Sequence, residues 1–292
     1  MPAVPAVPAV PRRVPSRTAV LAAAAVPRHR GTACGTRVSG SGCAAPSGPS
    51  RCDHPGMAGH VDYCPIAVGV EILGDRWTPL VIRELSVGAS GFNEIARGLP
   101  RLSRTLLAQR LRTLERRGLV RKEEAPRGQQ VRYQLTESGA ALSAVVWSIG
   151  QWAAEWMFGD PVEEECDGLT LMWRLHQCAI MDALPHRRTV VHLLLTGAGA
   201  AEGWLDIDSG LVTVCREAPG RDVDLTVEAQ TAHMLRWLLG VASFRDLMID
   251  GQVRTMGPAN LVREFPGWFD TTAFAESLRR ARLRRDQETV PA

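Results

Sequence analysis

The stretch Ser103-Arg-Thr-Leu-Leu-Ala-Gln-Arg-Leu-Arg-Thr-Leu-Glu-Arg-Arg-Gly118 decides how this chain folds. Ser103 suits a helix N-cap, because its hydroxyl can accept from an orphan N–H of the first turn. Gly118 suits the left-handed position just past a helix end. Leu106 stands where a reciprocal capping box would carry Glu. Between the caps, Leu107, Leu111 and Leu114 recur at i, i+4 and i+7, one apolar seam of a helix. Thr105, Ala108, Gln109, Arg112 and Arg116 fall on the opposite face, which is polar, largely cationic and free of carboxylates.

Upstream, residues 64–73 and 77–87 are apolar-periodic and are separated by Gly74-Asp75. Gly74 can end the first helix and Asp75 can cap the second. Pro79 falls in the first turn, where its missing N–H does no harm. A short helix is predicted from Phe92 to Arg97, closed by Gly98-Leu99-Pro100. Two short helices joined by a tight turn, the second with an outward cationic face, make a helix-turn-helix unit. Downstream, Val120 and the alternation Val131, Tyr133, Leu135 predict two strands, with Pro126, Arg127, Gly128 and Gln129 in the loop between them. A hairpin directly after a recognition helix is the wing of a winged helix.

From Arg97 to Arg132 the chain carries eleven basic residues against three Glu, a local net of +8. Duplex DNA is a dense line of negative charge, so such a stripe supplies sequence-independent affinity. Double-stranded DNA is therefore the expected partner. Arg104, Thr105, Gln109 and Arg112 are the candidates for base contact, with Arg104 nearer the helix flank. Ser103 and Arg116 complete the set on this helix. Arg127, Gln129 and Arg132 are placed on phosphate or in the minor groove. A merely solvated charged helix would account for the charge, but not for the order of capped helix pair, cationic face and basic hairpin.

Several function classes drop out on composition. The 292 residues hold 34 basic side chains, of which 33 are arginine and one is Lys122. Lys122 follows Arg121, so there is no Gly-Lys-Ser/Thr phosphate loop, and Schiff-base chemistry has no well-placed amine. The best uncharged run, Ser138 to Ala154, is 17 residues long, and a membrane span needs about 20 mostly apolar ones. Gly197-Ala-Gly199-Ala-Ala-Glu202 carries Glu where a dinucleotide fingerprint needs its third Gly, and a hairpin follows it. His176, Cys178, His186 and His192 show no metal spacing. The reading is a non-enzyme with no cofactor, no metal, no membrane and no catalytic residues.

Net charge divides the chain into unlike pieces. Residues 1–56 hold seven Arg and one Asp, a net of +6. Residues 57–158 hold 13 basic and 10 acidic residues (+3), and residues 159–292 hold 14 and 20 (−6). The first piece is Pro-Ala-Val-rich, without aromatic residues or apolar period, and reads as a disordered low-complexity tail. Met57 as an alternative start and an over-extended frame from a GC-rich genome would explain it. An export signal at Arg12-Arg13 is the weaker reading, because the apolar patch from Ala19 to Val26 is short. The expected organisation is a winged helix over 57–158, a linker over 159–167, a sheet domain over 168–275 and a basic tail over 276–292. The fold class is α+β, with helices and a two-stranded wing first and a sheet domain after. The tail helix, with Arg279, Arg280, Arg282, Arg284 and Arg285, reads as a solvated end, with added phosphate contacts as the alternative.

The first folded piece resembles a known family. Cys64-Pro65, Leu73-Gly-Asp-Arg-Trp-Thr78, Arg83-Glu84-Leu85, Phe92-Asn93-Glu94, Leu99-Pro100, Leu114-Glu115, Gly118-Leu119-Val120 and Tyr133-Gln-Leu-Thr136 look like the HxlR-type winged-helix regulators. The resemblance covers about residues 62–157. It implies a bacterial, cytoplasmic transcription regulator that binds a near-palindromic operator as a homodimer built by its first and last helices. The last helix here is Glu137 to Met157, with Leu142, Val145, Val146, Ile149, Trp152 and Trp156 along a broad apolar stripe. Core packing against the third piece is the competing use of that stripe. Cys64 matches a cysteine that some members use to sense oxidants or electrophiles, and a plain small buried residue is the alternative.

The third piece predicts strands at 189–196, 203–215 (a hairpin turning at 208–210), 224–227 and 252–256. It predicts helices at 231–239, 244–248 and 259–269. The segments Asp224-Leu-Thr-Val-Glu228, Leu235-Arg-Trp-Leu-Leu-Gly240 and Asp246-Leu-Met-Ile-Asp-Gly-Gln-Val-Arg-Thr-Met-Gly257 resemble the sterol carrier protein-type fold. That resemblance implies an apolar cavity for a small apolar ligand, lined by Trp204, Trp237, Phe244, Leu247, Met248, Met256 and Trp268. An ordinary filled core is the alternative. A lipid-binding or transfer module whose winged helix serves protein–protein contacts is the competing function.

Overall fold

The structure, a computed structural model, describes residues 64–123 and 131–288. Arg127 and Gln129, and the whole of segment 1–56, lie outside the described residues. The chain divides into two units at Ile72/Leu73. In the first, Cys64 precedes helix α1 (Pro65–Leu73), along which Ile66 and Val70 stand exposed.

The second unit opens with α2 (Trp77–Ser86), whose first turn is capped as the sequence predicts. Asp75 Oδ1 accepts from Trp77 N at 3.0 Å and Thr78 N at 3.2 Å. Helix α3 (Phe92–Gly98) begins where Glu94 reaches back to the backbone N–H groups of Ser90 and Gly91. Then come α4 (Arg104–Arg116), the antiparallel pair β1 (Val120–Glu123) and β2 (Arg132–Leu135), and α5 (Glu137–Trp156). Val81, Ile82, Ile95, Leu107, Leu111 and Leu114 fill the space between the helices and are all but inaccessible. Each such side chain contributes about 1.5–3 kcal/mol by leaving water.

A second layer follows. Helix α6 (Gly168–Cys178) precedes strands β3 (Thr189–Thr196), β4 (Ala201–Asp208), β5 (Leu211–Cys215) and β6 (Leu225–Gln230). Helices α7 (Thr231–Leu238) and α8 (Phe244–Ile249), strand β7 (Val253–Met256), helix α9 (Ala259–Glu264) and helix α10 (Ala275–Glu288) complete the chain. The five-stranded sheet runs β5-β4-β3-β6-β7, with β3 parallel to β6 and the other pairs antiparallel. Alternate residues of β3, β4 and β6 are buried, so one face packs on helices. Leu171, Met172 and Leu175 from α6, Met234 and Trp237 from α7, and Phe244 and Leu247 from α8 meet Val191, Leu193, Leu205 and Val227 there.

Four expectations need correction. Helix α6 was missing from the sequence reading. Gly168 at its start looks like a loop residue, yet it is glycine because Ala201 and the Gly199 carbonyl leave no room for a Cβ. The single closing helix over 259–269 is instead α9 followed by a 3₁₀ turn (Phe265–Trp268), since Pro266 has no N–H to continue the α ladder. The tail after 275 is no solvated end. Helix α10 packs on α5, with Ser277, Leu278 and Ala281 buried and Phe274 stacked on Trp147.

The seven residues expected to line one apolar cavity do not share one face of the sheet domain. Trp237, Phe244, Leu247 and Trp268 are buried in the hydrophobic core, and Met248 packs against it. Trp204 alternates with the inward Gly203 and Leu205, so strand geometry turns it to the other sheet face, where it stacks on His192. Met256, at the end of edge strand β7, is 65% exposed.

Candidate DNA-reading surface

Helix α4 builds the surface, and its caps fix where it starts and stops. Ser103 Oγ accepts from Leu106 N at 3.3 Å. Gly118 takes φ +68°, a conformation costly for any residue with a Cβ. Its N–H donates to Glu115 O, and Leu119 N donates to Leu114 O, closing the last turn. The seam of Leu107, Leu111 and Leu114 faces the core, so the opposite face is turned outward. Ser103, Arg104, Thr105, Gln109, Arg112 and Arg116 are all exposed.

Their surroundings differ. Thr105, Gln109 and Arg112 have no side-chain hydrogen-bond partner among the described residues, which leaves their polar groups free for a ligand. Gln109, Arg112, Glu115 and Arg116 line one shallow depression. Among the described residues, Arg116 Nη2 donates only to its neighbour Thr113, at 3.2 Å. Arg104 leans back on α3: Nη2 donates to Asn93 Oδ1 at 2.7 Å, and the guanidinium lies 5.0 Å from the Phe92 ring centroid. Arg110 is spent on scaffolding, because it pairs with the α2 cap Asp75 at 2.6 Å.

The wing joins this surface at its base. Arg132 Nε donates to Ser90 Oγ at 3.2 Å, and Tyr133 N donates to Ser90 O at 2.8 Å. The start of β2 is thereby tied to the residues that open α3. A free guanidinium and a free carboxamide on an exposed helix face can each make paired hydrogen bonds to a base edge: Arg to guanine, Gln to adenine.

Cys64 is a half-buried free thiol whose backbone carbonyl accepts from Val68 N at the start of α1. Burial pushes the thiols of Cys166 and Cys215 above their ordinary range, helped by Glu163 and Glu165 at the first and by Asp206 at the second. Both stay protonated at neutral pH and are poor nucleophiles. No group of His, Cys, Asp and Glu among the described residues is arranged to hold a metal ion. No helix among them is long and apolar enough to cross a membrane.

Sequence reasoning missed one set of residues behind this surface: Glu84, Arg174 and Gln177. The available signal was a carboxylate in the apolar run Trp77-Thr-Pro-Leu-Val-Ile-Arg-Glu-Leu85, one turn from Val81. A buried carboxylate needs cationic partners, and besides its neighbour Arg83 it finds one 90 residues away in the chain.

The HxlR-like helix-turn-helix family profile matches residues 72–160. YvaP of Bacillus subtilis, described as an uncharacterized HTH-type transcriptional regulator, is 37% identical over 98 residues, which is 33% of this chain and 91% of that one. The HTH-type transcriptional regulator YodB of the same organism is 37% identical over 97 residues, covering 33% and 85%. The solved reduced form of YodB aligns at 36% identity over 32% of this chain and 94% of its own, with a TM-score of 0.30. The family profile falls on the winged helix and leaves the five-stranded sheet outside it. The chain belongs to the HxlR-like helix-turn-helix family of DNA-binding transcriptional regulators.

Proposed function

We propose that this regulator binds a near-palindromic operator as a homodimer, with α4 in the major groove of each half-site. The observation that carries the reading is the outer face of α4, where Thr105, Gln109 and Arg112 are exposed and unspent. These three read bases. Arg104, a base-contact candidate by sequence, is held back by Asn93 and joins Ser103 and Arg116 on phosphates at the two ends of the helix, and Arg132, with Arg127 and Gln129 of the wing, holds the flanking backbone.

The dimer is built by α1 and α5. Val145, Ile149, Trp152 and Trp156 recur along α5 at i, i+4, i+7 and i+11 and are all about half exposed or more. A stripe of that size is costly to leave in water, and a second copy covers it. The sheet domain, whose resemblance is to sterol carrier proteins, serves as the sensing part. An apolar effector would enter by opening the core around Trp237 and Phe244 rather than by filling a ready cavity. Cys64, at the start of α1, is placed to make the dimer sensitive to electrophiles.

In vitro selection from a randomised duplex pool tests this reading. The full chain is expected to enrich an inverted repeat with half-sites about one helical turn apart. A Trp152→Glu variant is expected to sediment as a monomer and to lose that enrichment. A wild-type chain that enriches no sequence, or a single half-site only, overturns the proposal.

A further inference from the structure

Glu84 is fully buried in α2, and its carboxylate is held by the sheet domain. Arg174 of α6 donates from Nη1 to Glu84 Oε1 at 2.5 Å, and Gln177 donates from Nε2 to Glu84 Oε2 at 2.7 Å. The same Arg174 guanidinium donates from Nη2 to the carbonyl of Gly98, the last residue of α3, at 2.8 Å. Gly98 carries no Cβ, and any Cβ there would run into the Glu84 carboxylate. Arg83 also pairs with Glu84 from the same helix. One guanidinium thus ties α2 to the C-terminus of α3, immediately before the turn that delivers α4.

Two further contacts hold the same turn from behind. Arg101 Nη2 donates to the Glu164 carbonyl at 2.6 Å, and the Arg97 guanidinium lies 5.6 Å from the Trp173 ring centroid. At the other end of the winged helix, α10 grips α5. Arg284 donates to Glu155 Oε1 at 2.8 Å and to the Glu155 carbonyl at 2.7 Å, and it lies over the Trp156 ring at 3.8 Å. The C-terminal part therefore holds both the turn that aims α4 and the helix that carries the exposed stripe.

We propose that Arg174 and Gln177 are positioning residues for DNA reading, so that operator discrimination depends on the sheet domain being docked on Glu84. This inference rests on the DNA-reading assignment above. The physical ground is the cost of a buried charge. With Arg174 withdrawn, the Glu84 carboxylate keeps the neutral Gln177 donor and a single cation, Arg83, whose Nε has no partner among the described residues. Burial, and after it the Arg174 charge, lowers the Arg83 guanidinium to about 10, so Arg83 is itself a poorly solvated cation. Docking is therefore close to all-or-none, and the angle of α4 relative to α5 follows it. Contacts to phosphate tolerate a small error in that angle, whereas paired contacts to base edges do not.

The test uses the full chain, the duplex most enriched by wild type from a randomised pool, and a scrambled duplex of the same length. Arg174→Ala is expected to lower affinity for the enriched duplex at least tenfold. Affinity for the scrambled duplex is expected to stay within about twofold, with an unchanged salt slope. A merely structural role would lower both affinities together. Glu84→Gln combined with Arg174→Met removes the charges as a pair, and it is read in place of Arg174→Ala if the single variant does not fold. The double variant is expected to show the same selective loss. Discrimination kept by a folded variant, or both affinities lost in proportion, overturns the bracing role alone. A wild-type chain that enriches nothing overturns the DNA-reading assignment beneath it.

Discussion

Two helices of this protein are rich in arginine, and they use it in opposite ways. Among the described residues, Arg112 of α4 is exposed with no partner, and Arg116 donates only to a neighbouring threonine. On α10, Arg284 and Arg280 both reach Glu155, Arg279 pairs with Glu276, and Arg285 reaches the Phe158 carbonyl at 3.4 Å. The sequence of α10 is the denser in charge, yet its guanidinium groups are mostly occupied within the chain. What qualifies a helix to meet DNA is uncommitted charge on an outward face, and a count of arginines does not report that.

The largest expected effect falls on α4. Arg112→Ala should cost about 1–3 kcal/mol in operator affinity, roughly tenfold to a hundredfold in a gel shift at fixed salt. Its melting temperature should match wild type, because Arg112 has no hydrogen-bond or ion-pair partner among the described residues to lose. Next comes Arg284→Ala on α10, expected to lower stability in chemical denaturation by about 1–2 kcal/mol while leaving the salt slope of DNA binding unchanged. A loss of DNA affinity there without loss of stability would erase the contrast between the two helices. Arg116→Ala should weaken binding to all duplexes alike and reduce the salt slope by about 0.9. The smallest effect is expected for Arg282→Ala, at an exposed α10 position with no partner among the described residues. Its stability should stay within about 0.5 kcal/mol of wild type, and a measurable change in DNA affinity would show α10 taking part in binding.

The winged helix was legible because its signals are local. Asp75 and Ser103 cap helices within three residues of themselves, Gly118 ends one, and the Leu107/Leu111/Leu114 seam needs only helical periodicity. The strands of the sheet domain were also legible, since alternation along Thr189–Thr196 and the hairpin at Ser209-Gly210 are short-range patterns. Face assignment was not. Trp204 and Met256 looked like lining residues by type, but a one-residue offset in a strand puts a side chain on the far face. Helix α6 was lost for a related reason, because its initial glycine answers to Ala201 and Gly199 rather than to its own neighbours.

The sequence by itself determined the helix-turn-helix, its caps, its cationic outer face and the presence of an appended α+β piece. Each of these depends on residues within about one or two helical turns of one another. Only the tertiary structure decided which arginines are free, where α10 lies and what neutralises Glu84. Those outcomes depend on pairs 90 and 129 residues apart, Arg174 with Glu84 and Arg284 with Glu155. A charge buried in one element must find its counter-charge in space, and spacing along the chain carries no record of that partner.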